Sequence, residues 1–189
     1  LAARYGQALE EATKSKIVAR GAEALADEIV QTYPFHPRLK ELVALFKENE
    51  SFRQTRGLME LMSRLLKSVW SRQTDDVYLI GAQHFDLSLT EVRSKLADIS
   101  GMNDVMSKDL WNANHEAHAQ LIDASSGNSN ASEVANLLLT ASLSTAVNAV
   151  KGLTREEVLE CLVTPLQSVV EYNAAVDGML AECWYLHQD

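Results

Sequence analysis

YPFHPRLKELVALFKENESFRQTRGLMELMSRLLKSVW, residues 33–70, decides the fold. Pro34 ends whatever helix precedes it, because the residue before a proline avoids the helical region. Pro37 suits the first turn of the next helix, where its missing N–H is no loss. That helix places Leu39, Leu42, Val43, Leu45 and Phe46 toward a core and runs out in the polar stretch Lys47 to Glu50. A longer helix is expected from about Phe52 to Ser71. Its apolar residues Leu58, Leu61, Met62, Leu65, Leu66 and Val69 recur at helical steps, opposite Arg53, Arg56, Glu60, Arg64 and Lys67.

Helical patterning continues on both sides. Upstream, a helical zone runs from Ala2 to Gln31, with Gly21 as a bend or break. Downstream, Val77 to Ile80 reads as a short extended piece. Ser88-Leu-Thr-Glu91 then reads as a capping box, stapled by Leu87 and Val92, that starts a helix to about Ile99. One helix is expected from Asp104 to Ala124, followed by the linker-like loop Ser125 to Asn130. Three more span Glu133–Val147, Thr154–Val163 and Ser168–Tyr185, the second opened by the capping box Thr154-Arg-Glu-Glu157. No internal repeat interrupts the series. The fold class is all-α.

A chain of 189 residues, 47% of them hydrophobic, can bury a core in one domain or two small ones. The net charge of −9 is uneven: Asp123 to Asp189 holds nine acidic residues and two basic ones, Lys151 and Arg155. Such a surface disfavours non-specific nucleic-acid binding, which needs lysine and arginine on phosphates. Two cysteines without framework spacing, Cys161 and Cys183, suit a reduced, cytoplasmic protein. No apolar run is long enough to cross a bilayer. The chain starts at Leu1 and stops just after Trp184-Tyr185-Leu186, so both ends read as cuts within a longer polypeptide.

The block YPFHP, an amphipathic helix, FRQTRG and an apolar helix ending in Trp70 resembles an ATPase family catalogued as domain of unknown function 499 (DUF499). The later run TASLSTAVNAVKGLTREEVLECLVTP is similar to the same family's region after the lid. The resemblance implies an AAA+-like parent in which residues 1–100 form a helical lid bundle. Residues 101–189 would form a helix-turn-helix, winged-helix-like unit lacking most of its wing. It maps a nucleotide-sensing arginine onto Arg56, with Arg53 as the fallback. ATP, magnesium and the catalytic groups would belong to an upstream ATPase core, since no GxxxxGK[ST] phosphate loop occurs here. This chain alone would then be no enzyme, with its own core as partner and a homo-oligomer as the expected assembly. The other class left open is a helical protein–protein scaffold with no nucleotide role.

Arg56 fits the sensing task physically. A guanidinium bonds two phosphate oxygens at once, and a pivoting lid delivers it only when the site closes. Against this stands a plain surface ladder, because Glu60 lies four residues after Arg56 and four before Arg64. His115 and His118 sit at i, i+3, and a metal there would need a third ligand such as His84 or Asp86. No metal is expected, because the HExxH pattern is absent. His36 is expected to fix its loop, Cys161 to be an inert core thiol, and Asp75-Asp76 to form a solvated turn. Trp70, Trp111 and Trp184 are expected in the core or at domain contacts. The last helix carries Glu171, Asp177 and Glu182 but no lysine or arginine, so direct DNA reading is not expected.

Overall fold

The computed structural model describes residues 2–14, 22–45, 55–72, 77–97, 101–143, 152–167 and 169–188. Among these the chain is all-helical, with no strand and no sheet. In order the helices are α1 (Ala2–Lys14), α2 (Ala22–Thr32), α3 (Pro37–Leu45) and α4 (Thr55–Arg72), then a 3-10 turn at Ala82–His84. There follow α5 (Thr90–Ala97), α6 (Met102–Val105), a π turn at Met106–Leu110, α7 (His118–Ser126), α8 (Asn130–Ser142), α9 (Arg155–Leu162) and α10 (Val169–Glu182).

The core gathers around α8, which packs against α7, α9, α10 and the 3-10 turn and also touches α3. Val134, Leu137 and Leu139 of α8 are buried with Leu159 and Leu162 of α9 and Tyr172 and Met179 of α10. The same buried cluster takes in Tyr5 and Leu9 of α1, Leu25 and Ile29 of α2, and Leu61 and Leu65 of α4. Asn136 crosses from α8 to the 3-10 turn, donating to the carbonyls of Gln83 at 3.1 Å and Phe85 at 2.8 Å.

The extended piece expected at Val77–Ile80 is a single parallel bridge, Phe35 to Ile80. His36 N–H donates to the Ile80 carbonyl at 2.9 Å, and Ile80 N–H to the Pro34 carbonyl at 2.8 Å. Proline at 34 and 37 leaves few donors in this turn, so the backbone takes partners from residue 80 instead. His36 is buried, and its Nδ1 accepts the Arg38 N–H at 3.3 Å, the loop-fixing role expected of it.

Two local expectations are corrected. The box at Ser88 does not form: α5 begins at Thr90, and the Ser88 hydroxyl donates to Asp86 Oδ1 at 2.6 Å. Arg93 takes the carbonyls of Leu87 and Ser88, while Glu91 turns to Arg64. The helix expected over Asp104–Ala124 is broken between the π turn and α7. Asn112 Oδ1 accepts the N–H groups of Asn114 at 2.9 Å and Glu116 at 3.1 Å, and His115 adopts a left-handed φ of 58°. Asparagine thus offers the backbone a turn that competes with the helix.

The loop expected over Ser125–Asn130 narrows to residues 127–129, because α7 runs to Ser126 and α8 starts at Asn130. Gly127, at φ 72°, closes α7 with its N–H on the Asp123 carbonyl at 2.8 Å. The Asp123 carboxylate accepts Ala131 N–H at 2.8 Å and Ser132 N–H at 3.0 Å, capping α8. The Thr154 box forms as expected: Thr154 Oγ1 accepts Glu157 N–H at 3.2 Å, and Glu157 Oε2 accepts Thr154 N–H at 2.9 Å. Among the described residues no helix is long and apolar enough to cross a membrane.

Candidate functional site

Arg56 stands in the first turn of α4 with its side chain 89% exposed. Its Nε donates to Glu60 Oε1 at 3.3 Å, one turn on. Glu60 Oε2 meets Lys95 Nζ of α5 at 2.7 Å. Hydrogen bonding from Lys95 first, and from Arg56 second, holds the Glu60 carboxyl below its usual range. Only half of the expected ladder is therefore present, because Arg64 pairs with Glu91 of α5 and leaves Glu60 to Lys95. Arg53 and Asp75-Asp76 lie outside the described residues.

The apolar side of α4 is narrower than its sequence pattern. Leu58, Leu61 and Leu65 are buried, yet Met59, Leu66 and Trp70 are exposed, Trp70 by 85%. At about 100° per residue, Arg56, Met59, Leu66 and Trp70 fall within roughly 80° of one another. One face of α4 thus carries three exposed apolar side chains, interrupted by the exposed Ser63, with an exposed guanidinium at its start. Trp70 is not a core residue. Trp184 is exposed as well, whereas Trp111 is half-buried under the Arg93 guanidinium, 4.0 Å from its ring centroid.

The histidines are arranged differently from the expected i, i+3 pair. His115 lies in the break before α7 and His118 opens that helix, so the two imidazoles do not share a helical face. His84 Nδ1 accepts Gly81 N–H at 3.0 Å, and Asp86 accepts Ser88 N–H at 2.9 Å, both as local caps. His118 instead meets Asp109 and Cys183, whose donor atoms with its own lie within 4.8 Å of one another. His118 Nδ1–H donates to Asp109 Oδ1 at 2.9 Å. Asp109 also accepts Trp184 N–H at 3.0 Å and Tyr185 N–H at 2.7 Å, which ties the end of the chain to the π turn. Sequence reasoning missed Asp109 and Cys183 because 74 positions separate them, and neither stands in a short motif.

Both thiols are unfit as nucleophiles. Burial pushes Cys161 up to about 12, and burial followed by the nearby Asp109 charge pushes Cys183 up to about 12. On α9, Arg155 donates to Asn173 Oδ1 at 2.7 Å and pairs with Asp177 at 2.7 Å, so its charge is committed to α10.

A family model described as DUF499 second domain matches residues 2–154. The chain belongs to the DUF499 second-domain family. The matched span takes in α1 to α8 and the cap residue of α9, and so begins upstream of the Tyr33 block. Arg56, Asp109 and His118 fall within the DUF499 span, whereas Glu160 and Cys183 fall beyond it. No curated protein and no solved structure matches the chain.

Proposed function

We propose that this chain is the non-catalytic, lid-like part of a larger AAA+-like ATPase, bringing Arg56 to nucleotide held by a core elsewhere in the polypeptide. The observation that carries this is the α4 face on which Arg56 leads into the uncovered stripe of Met59, Leu66 and Trp70. An apolar stripe of this kind is suited to burial against another body. The positive end of the helix and a guanidinium at the same edge favour an anion on that body. A γ-phosphate supplies the anion, and its loss on hydrolysis releases the lid. ATP and magnesium would be bound by the core.

The α8–α9–α10 unit would act as a winged-helix-like contact module. Its last helix has no basic residue, Arg155 is engaged by Asp177, and Trp184 and Tyr185 remain exposed for a protein partner. Duplex DNA is a poor ligand for such a surface. The test is the steady-state ATPase rate of the intact parent, wild type against Arg56→Ala. A fall of about ten-fold or more with the fold intact supports the proposal. An unchanged rate would overturn the sensing role. It would leave the second proposal, a helical interaction scaffold, which needs the exposed apolar residues of α4 but not Arg56.

A further inference from the structure

We propose that Asp109, His118 and Cys183 form a binding site for one divalent transition-metal ion of the zinc class. The three residues come from separate elements: the π turn, the first residue of α7, and the residue after α10. One carboxylate oxygen, one imidazole nitrogen and the thiol sulfur all lie within 4.8 Å of one another. Tetrahedral zinc, with bonds of about 2.0–2.3 Å, sets its donors roughly 3.3–3.8 Å apart. To hold an ion, donors at the 4.8 Å limit would close by roughly 1–1.5 Å, while the Asp109–His118 pair, now at 2.9 Å, would open by roughly 0.5 Å.

Burial separates this cluster from an ordinary surface patch. Asp109 and Cys183 are buried, and His118 is mostly covered, with its side chain 20% exposed. The donor set selects the ion. Thiolate and imidazole suit zinc and its softer neighbours, while calcium and magnesium prefer all-oxygen shells. The support around the donors is already in place: the amides of Trp184 and Tyr185 orient the Asp109 carboxylate. Such outer hydrogen bonds fix a ligand before the ion arrives. The Trp184 ring stands 5.8 Å from the His118 ring and Lys108 Nζ lies 5.3 Å from the Trp184 centroid, so an aromatic wall covers one side. Binding would release the Cys183 proton to solvent, move the His118 proton from Nδ1 to Nε2, and insert the ion between His118 and Asp109. Three protein donors leave a fourth position for water. The ion would clamp residues 183–188 to the start of α7.

The test uses chelator-stripped protein and Co²⁺ as the spectroscopic probe, with Zn²⁺ stoichiometry read by elemental analysis. The expected result is one equivalent of metal and a cobalt–thiolate charge-transfer band, lost in Cys183→Ser and kept in Cys161→Ala. Because Cys183→Ser disturbs a buried position, His118→Gln, at the solvent edge, gives a second check. Its Zn²⁺ affinity should fall by about ten-fold or more with unchanged helical content. Absence of a thiolate band, or a band that survives Cys183→Ser, would overturn the proposal. So would a Zn²⁺ affinity unaltered in His118→Gln.

Discussion

Arg38 Nε lies 3.3 Å from Glu160 Oε1, joining the proline turn at 34–37 to the middle of α9 across 122 positions of sequence. The same guanidinium reaches Glu41 at 2.7 Å and Glu157 at 3.8 Å. Burial works against its charge, but the bond to Glu41 and the fields of Glu160 and Glu41 outweigh it and raise the Arg38 pKa. Glu160 is itself buried, and this cation helps to make its carboxylate tolerable there. The turn that opens the most informative stretch of sequence is thereby fastened to a helix outside the matched family span.

Arg38→Ala is expected to destabilise the chain by about 2–3 kcal/mol, below the usual cost of breaking a buried ion pair because the guanidinium keeps some contact with solvent. Urea denaturation should show a lower midpoint at an unchanged slope. A double-mutant cycle with Glu160→Gln should reveal positive coupling, since the two side chains are in direct contact.

Thr154→Ala removes the hydroxyl that accepts Glu157 N–H, leaving an unpaired donor at the start of α9. A loss of about 1 kcal/mol is expected, as for other helix caps. Glu157→Ala should overlap with it rather than add, because the two side chains satisfy one another's backbone groups. Chemical denaturation of both single variants and the double variant measures this directly.

These two contacts mark what the sequence could and could not disclose. The Thr154 box was legible because its chemistry is contained in four consecutive residues. So was the all-helical class, through the spacing of Leu58, Leu61 and Leu65. The Arg38–Glu160 pair and the Asp109–His118–Cys183 cluster depend on tertiary placement, which no local pattern encodes. Helical periodicity also overran its limits over residues 104–124, where Asn112 and the left-handed His115 form a turn. The same periodicity places Leu66 beside the buried leucines of α4, although its side chain is exposed. Periodicity locates an apolar side of a helix without saying what covers its margins.

Cys161 gives the chain an alkaline liability. In the unfolded chain the thiol ionises near its ordinary 9.0, whereas burial in the folded protein pushes it up to about 12. Between those values the unfolded state binds fewer protons, so stability falls as pH rises, and it is fully present below about 9. The slope from one such group is about 1.4 kcal/mol per pH unit. Urea unfolding at about pH 8 and about pH 10 should show a steeper loss for wild type than for Cys161→Ala. Equal slopes would mean that the thiol is not held neutral by the fold.

On the proposed lid role, the α4 face separates function from stability. Arg56, Met59 and Trp70 are exposed, so replacing them should not disturb the core built by Leu58, Leu61 and Leu65. Met59→Ser with Trp70→Ser is expected to leave the thermal midpoint of the isolated chain unchanged or slightly raised, because uncovered apolar surface is removed. On the proposed lid role, the same pair should lower the ATPase turnover of the intact parent, since the stripe would no longer seat the lid and Arg56 would arrive out of place. Arg56→Ala alone should reproduce the fall in turnover while leaving the lid seated. Limited proteolysis with and without nucleotide distinguishes the two cases: protection of α4 should persist in Arg56→Ala and disappear in the double-serine variant. Protection that survives in both would show that this face is not where the chain docks.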